Sequence, residues 1–196
     1  DLDAYSMAAA SIDEAVRNAV CVGVDLDRMA GLDNFCWPDP VESEKTPDGR
    51  YKLAQLVRAN RALDDVCRAY GLPCISGKDS MKNDATLDGR KISVPPTLLF
   101  SLIGDHPDVR TATSSDFKRP GDAIYIIGET RQELGASEFA FMLRDQTHGA
   151  SGIGGRIPSI EPERNLGAYR ALTAAMRRGL VASAHDCSDG GLASAL

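Results

Sequence analysis

Apolar residues recur at helical spacing in three stretches of the chain and crowd into short runs in several others. Over 3–20, Ala8, Ile12, Ala15, Val16 and Ala19 fall near i, i+3, i+4 and i+7, which predicts an amphipathic helix. Residues 29–37 read as a strand or an irregular β segment, stopped by Pro38 and Pro40. Residues 41–50 read as a loop in which Thr46-Pro47-Asp48-Gly49 carries a turn signal. The clearest helix is 51–70, with Leu53, Leu56, Val57, Asn60, Leu63, Val66, Cys67 and Tyr70 on one face, Gly71 as its cap and Pro73 beyond. A short strand at 73–77, a polar loop at 78–91 and a buried strand at 97–104 follow, the last introduced by Pro95-Pro96.

The pattern changes at 105–122, which is poor in apolar residues and carries two prolines. A domain boundary is expected there, giving domains 1–112 and 113–196. Beyond it the pattern predicts a strand at 123–128 and a helix at 137–144. A mobile Gly-rich loop at 147–158 comes next, then a helix at 164–178 capped by Gly179. A short strand at 181–185 turns through 186–191 into a new helix. Strands alternating with helices indicate an α/β or α+β fold. The chain opens without a Met and stops one turn into its last helix, so a piece of a longer protein is expected.

Composition narrows the function classes. A hydrophobic share of 43% supplies a core and argues against wholesale disorder. The net charge of −6 disfavours non-specific nucleic-acid binding. No apolar run approaches the ~20 residues that span a membrane. The five cysteines include no Cys-x-x-Cys and no zinc-ligand spacing, so reduced, mostly buried thiols in a cytoplasmic protein are expected. No nucleophile elbow is present, and the isolated His106, His148 and His185 offer no triad.

Four constellations carry candidate chemistry. Glu14 and Asn18, at i and i+4, put two hard oxygen donors one helical turn apart, suited to Mg²⁺. The same spacing also describes a solvated face. His185-Asp186-Cys187-Ser188-Asp189-Gly190-Gly191 leads from a strand through glycines into a helix start, where an anion is favoured, and Asp186 could hold a metal bridging phosphates. Simple capping by Ser188 or Asp189 fits equally. Ser76-Gly77-Lys78-Asp79-Ser80-Met81-Lys82 places a cation, an acid and a hydroxyl at a strand end, either as a phosphate contact or as a polar turn. It is not a P-loop, because the glycine spacing is missing. Leu32-Asp33-Asn34-Phe35-Cys36-Trp37-Pro38-Asp39-Pro40 sets the only Trp beside acids, or forms an aromatic plug before a rigid turn.

In order along the chain, Ile12-Asp13-Glu14-Ala15-Val16-Arg17-Asn18, the stretches 32–40 and 73–81, Leu134-Gly135-Ala136-Ser137-Glu138-Phe139 and the stretch 185–192 resemble the phosphoribosylformylglycinamidine synthase family. That family lies within the ATP-binding aminoimidazole ribonucleotide synthetase superfamily. The chain looks like the second of two tandem synthetase repeats in the large form of the enzyme. The resemblance implies an N-terminal α/β domain that forms a barrel-like assembly with its mate, and a C-terminal α/β domain, both truncated here.

It further implies an ATP-dependent ligase of purine biosynthesis. Formylglycinamide ribonucleotide would be amidated with glutamine-derived ammonia, with Mg²⁺ and ATP or ADP as cofactors. The first synthetase repeat and a glutaminase domain would be its partners. None of the five cysteines is placed like a glutaminase nucleophile, so nitrogen would come from elsewhere. Metal ligands are implied at Glu14, Asn18 and Asp186, nucleotide contacts at Asp33, Gly77 and Ser188, and a substrate contact at Ser80. Lys78 stands where the small form has a metal-binding Asn. An ammonium cannot ligate Mg²⁺, so Lys78 is read as a phosphate contact. In the large form one nucleotide site is catalytic and its pseudo-symmetric mate holds a structural ADP. Glu14, Asn18, Asp186 and Ser188 look like the structural one.

A piece lacking its mates is expected to be inactive alone. Its alternative role is a non-catalytic, nucleotide-stabilised assembly module. An exposed sheet edge or face would favour a dimer of the piece. Other members of the superfamily, acting on aminoimidazole ribonucleotide precursors, selenophosphate or thiamine phosphate, fit the Gly77-Lys78-Asp79-Ser80-Met81 loop less well.

Overall fold

The computed structural model describes residues 3–147 and 155–196. Helix α1 (Ala4–Cys21) begins where the expected amphipathic pattern begins, because Asp3 caps it. The Asp3 carboxylate accepts from the Ser6 amide at 3.0 Å and from the Ser6 hydroxyl at 2.7 Å. It also pairs with Arg58 of α2 (Gly49–Tyr70), so the cap joins the two helices. Between them lie Ala8, Ala9, Ile12 and Val16 of α1 against Ala59, Ala62 and Val66 of α2, all buried. Alanines at the crossing let the helices approach closely. The expected inward face of α2 needs correction: Leu53, Val57 and Asn60 are exposed, since the small residues take the contact. Gly71 ends α2 in the left-handed conformation at φ 64°, as its position after the apolar run predicted.

Three strands form the main sheet, in the order β2 (Cys74–Ser80), β1 (Met29–Cys36), β5 (Thr97–Gly104). β2 runs parallel and β5 antiparallel to β1. Met29, Gly31 and Phe35 of β1 share a face with Leu98 and Phe100 of β5, and that face is covered by helices. At Gly31 a Cβ would stand 2.4 Å from the Phe100 ring, so the glycine admits the ring across the ladder. Trp37 is fully buried beyond β1, edge-on to Phe35 at 6.0 Å, and its indole N–H donates to the Lys52 carbonyl at 3.0 Å. It is a core plug.

The opposite face is open. Leu99 and Ile103 of β5 are 60% and 66% exposed. The expectation of a buried strand over Thr97–Gly104 therefore holds for one face only. The helices cover one side of the sheet, and its other side has no cover among the described residues. The expected polar loop at 78–91 is instead the end of β2 followed by a hairpin, β3 (Asp84–Leu87) and β4 (Arg90–Ser93). Asp88 and Gly89 both have positive φ, 50° and 76°, the turn geometry that an Asp-Gly pair favours between antiparallel strands.

In the second half, α3 (Glu138–Thr147) and α4 (Pro162–Arg177) form as expected, and α5 (Gly191–Ala195) adds one short turn. α4 packs on α1 and α2, with Tyr169 joining the core. The two strands expected here do not form. Residues 123–127 are solvent-facing, with Tyr125 84% exposed, and they make no ladder among the described residues. Residues 181–185 make a single parallel bridge, Ser183 to Ser114. A strand needs a partner for its N–H and C=O groups; 181–185 finds one only at Ser114, and 123–127 pairs with no described segment. Most of the Gly-rich loop expected at 147–158, including His148, lies outside the described residues. No helix is long and apolar enough to cross a membrane among the described residues. The five cysteines are all free, but only Cys67 is buried and Cys74 and Cys187 are exposed, which corrects the expectation of mostly buried thiols.

Candidate functional site

The side chains singled out in the sequence fall into three places. Asp33 and Gly77 meet in register on neighbouring strands. A Cβ on Gly77 would lie 2.8 Å from the Asp33 carboxylate, so glycine makes the space that the carboxylate occupies. Burial pushes the Asp33 carboxyl up, and the like charge of Asp79 adds to it. Lys78 and Ser80 lie one and three residues further along β2, so strand alternation puts them on the other, open face. There the Lys78 ammonium donates to the Ser80 hydroxyl at 2.8 Å. The sheet thus separates Asp33–Gly77 from Lys78–Ser80.

The third place joins α1 to the turn at 185–190. Glu14, Arg17, Asn18 and Cys21 stand at i, i+3, i+4 and i+7, one stripe of α1. Arg17 reaches the Cys187 carbonyl at 3.4 Å. Burial raises the Cys21 thiol to about 11, and the Asp186 carboxylate beside it contributes. Two members of the stripe therefore abut the turn. The other two, Glu14 and Asn18, are exposed and have no hydrogen-bond or ion-pair partner among the described residues. Within the turn the Asp186 side chain accepts from Ser188 and faces the His185 ring at 3.5 Å. Capping by Ser188 or Asp189 is not what the turn does. Gly190, at φ 79°, is the N-cap of α5 and offers no side chain, so the acid and hydroxyl are held by each other.

No direct contact links Glu14 or Asn18 to Asp186, and neither Asp33 nor Lys78 touches this third place. Among the described residues no three His, Cys, Asp or Glu side chains gather as a metal site. The set Glu14, Asn18 and Asp186 offers oxygen donors only, and two of its members are unengaged. That chemistry fits Mg²⁺, which takes few protein oxygens and keeps several waters.

Sequence reasoning missed what holds this region together. Asp13 is buried, and its Oδ1 accepts from the Tyr169 hydroxyl at 2.9 Å, from the Asn165 amide at 3.0 Å and from the Tyr70 hydroxyl. Its Oδ2 pairs with Arg17 Nε at 3.2 Å. Burial and the Asp13 charge push both tyrosine hydroxyls up, so they stay protonated donors. Asp13 thus ties α1, α2 and α4 together and aims Arg17 at the turn. The available signal was an acid next to Ile12, within the apolar face of α1.

Residues 119–196 match the family described as AIR synthase related protein, C-terminal domain. Over its full length the chain is 34% identical to phosphoribosylformylglycinamidine synthase subunit PurL of an Anaeromyxobacter species and 33% identical to that of a Synechococcus species. It covers 23% and 24% of those relatives, so the chain spans about a quarter of their length. The thiamine monophosphate kinase of Aquifex aeolicus aligns with 89% of this chain and 49% of its own, at 16% identity and a TM-score of 0.48. The superfamily read from the short motifs is borne out by the family match and by the full-length similarity.

Proposed function

We propose that this chain, in which residues 119–196 belong to the AIR synthase related C-terminal domain family, is part of the synthetase region of a phosphoribosylformylglycinamidine synthase. The reaction served is the ATP-dependent amidation of formylglycinamide ribonucleotide with glutamine-derived ammonia. The chain comprises two domains, 1–112 and 113–196, and works with a first synthetase repeat and a glutaminase domain. The reading is carried by the similarity of the whole chain to subunits named for that synthase. The open face of the β2-β1-β5 sheet is proposed as the surface that closes a barrel with the mate repeat.

In this reading the α1 stripe and the 185–190 turn form a nucleotide site. Glu14, Asn18 and Asp186 would hold Mg²⁺, which when bound offsets the charge of the polyphosphate. Arg17 keeps the turn against α1 and leaves the Glu14 and Asn18 oxygens free. Ser188 is positioned by Asp186 to meet the nucleotide. Lys78 supplies a point charge to phosphate from the open face, beside Ser80 as a substrate contact. Asp33 and Gly77 would contact nucleotide from the opposite face of the sheet.

Mg-ADP titrated calorimetrically into the complete synthetase region tests the assignment. Asp186→Ala is expected to weaken binding about tenfold or more. Equal affinity would remove Asp186 from the site. The alternative, a nucleotide-stabilised structural module, is favoured by the unpartnered segment at 123–127. It predicts an ADP-dependent rise in melting temperature without turnover. The isolated chain is expected to show no synthetase activity, and turnover with ammonia and no added partner would contradict that.

A further inference from the structure

Two cysteines that the nucleotide site does not use face one another across the tight connection between α2 and β2. Cys67 lies in the last turn of α2 and Cys74 opens β2, with their sulfurs 3.8 Å apart. Both ends of this connection are fixed. The Leu72 amide donates to the Cys67 carbonyl at 2.8 Å, Gly71 holds the left-handed cap, and Pro73 restricts the approach to Cys74. Proximity is thus imposed by helix cap and strand register rather than by a flexible loop. Cys74 is exposed, whereas Cys67 is buried.

We propose that Cys67 and Cys74 form a reversible thiol–disulfide pair, oxidised through Cys74 by a low-molecular-weight disulfide such as oxidised glutathione. The Cys74 thiolate attacks one sulfur of the oxidant, breaks its S–S bond and releases one glutathione thiolate. That thiolate takes up the proton lost by Cys67. The Cys67 sulfur then attacks Cys74 sulfur in the mixed disulfide and expels the second glutathione. Two protein thiols and one oxidised glutathione become one protein disulfide and two reduced glutathiones.

The order of attack follows from the surroundings. Burial, the adjacent Cys74 sulfur and the Asp33 and Asp64 carboxylates all push the Cys67 thiol up, so it resolves rather than initiates. Closing the bond requires the sulfurs to move together from 3.8 Å to about 2 Å. The bridge would pin the first residue of β2 to the end of α2, three positions before Gly77. This inference does not depend on the nucleotide site or on the synthase reading.

A non-reducing tryptic map of the intact protein tests it. Cleavage after Arg61, Arg68 and Lys78 separates peptide 62–68, with Cys67, from peptide 69–78, with Cys74. After native exposure to oxidised glutathione and thiol alkylation, the two peptides are expected to run as one linked species. A reducing agent should part them, and Cys21, Cys36 and Cys187 should stay alkylated. The link should form at least about tenfold faster in the folded protein than in urea. Cys67→Ser should instead trap glutathione on Cys74. Glutathione held on Cys74 in the unaltered protein while Cys67 remains alkylated would overturn the proposal. So would two free thiols, or equal rates in the folded and urea-unfolded protein. The unaltered protein decides the matter even if Cys67→Ser does not fold.

Discussion

β5 and residues 123–127 are built from the same kind of sequence and end differently. Thr97–Gly104 becomes an eight-residue strand paired along its whole length with β1. The run Ala123-Ile124-Tyr125-Ile126-Ile127 stays exposed and joins no ladder among the described residues. Apolar, β-branched composition therefore states a readiness to pair, and only a neighbour with free backbone groups turns it into a strand. The first half of the molecule supplies its own neighbours. The second leans on the first mainly through α4, whose Tyr169 and Asn165 converge on Asp13.

The largest expected effect breaks that dependence. Asp13→Ala strands two tyrosine hydroxyls, an amide and Arg17, and is expected to cost about 3–5 kcal/mol in denaturant unfolding. It should also release α4, read as faster amide exchange in Pro162–Arg177 than in β1. Phe100→Ala empties the space over Gly31 in the paired strand, for roughly 3–5 kcal/mol. Tyr125→Ser, its counterpart in the unpaired run, should change stability by less than about 0.5 kcal/mol. A large loss there would mean that 123–127 is packed after all.

A smaller effect concerns pH. Arg164, and after it Arg131, hold the Glu129 carboxyl down to about 2 from its ordinary 4.5. Its folded pKa lies below its unfolded one, so its contribution is complete above pH 4.5 and is lost as pH falls towards about 2. The group is exposed, so the change should be slight. Side-chain NMR titration reads it directly, and Arg164→Gln should bring the midpoint back towards 4.5.

What the sequence made legible was local. The caps at Gly71 and Gly179 and the apolar periods of α1 and α2 place these helices to within a few residues, because each is decided by neighbours one turn away. The Asp88-Gly89 hairpin was equally local, but its polar flanks hid the alternation. Pairing was not legible, since 97–104 and 123–128 look alike until a partner is known. For the candidate site, Asp33 with Gly77 and Lys78 with Ser80 were each named, but their assignment to opposite faces needed the β1–β2 register. Asp13 was hidden because its partners, Tyr70, Asn165 and Tyr169, lie far away in the chain.

The account rests on the α1 stripe and the 185–190 turn acting as one site. A double-mutant cycle on Mg-ADP affinity in the complete synthetase protein, with Glu14→Ala, Asp186→Ala and both together, measures that coupling. Joint action predicts that the double variant loses less than the two single losses combined, by roughly 0.5–3 kcal/mol. Losses that add to within about 0.5 kcal/mol would show the two groups working apart and contradict the account.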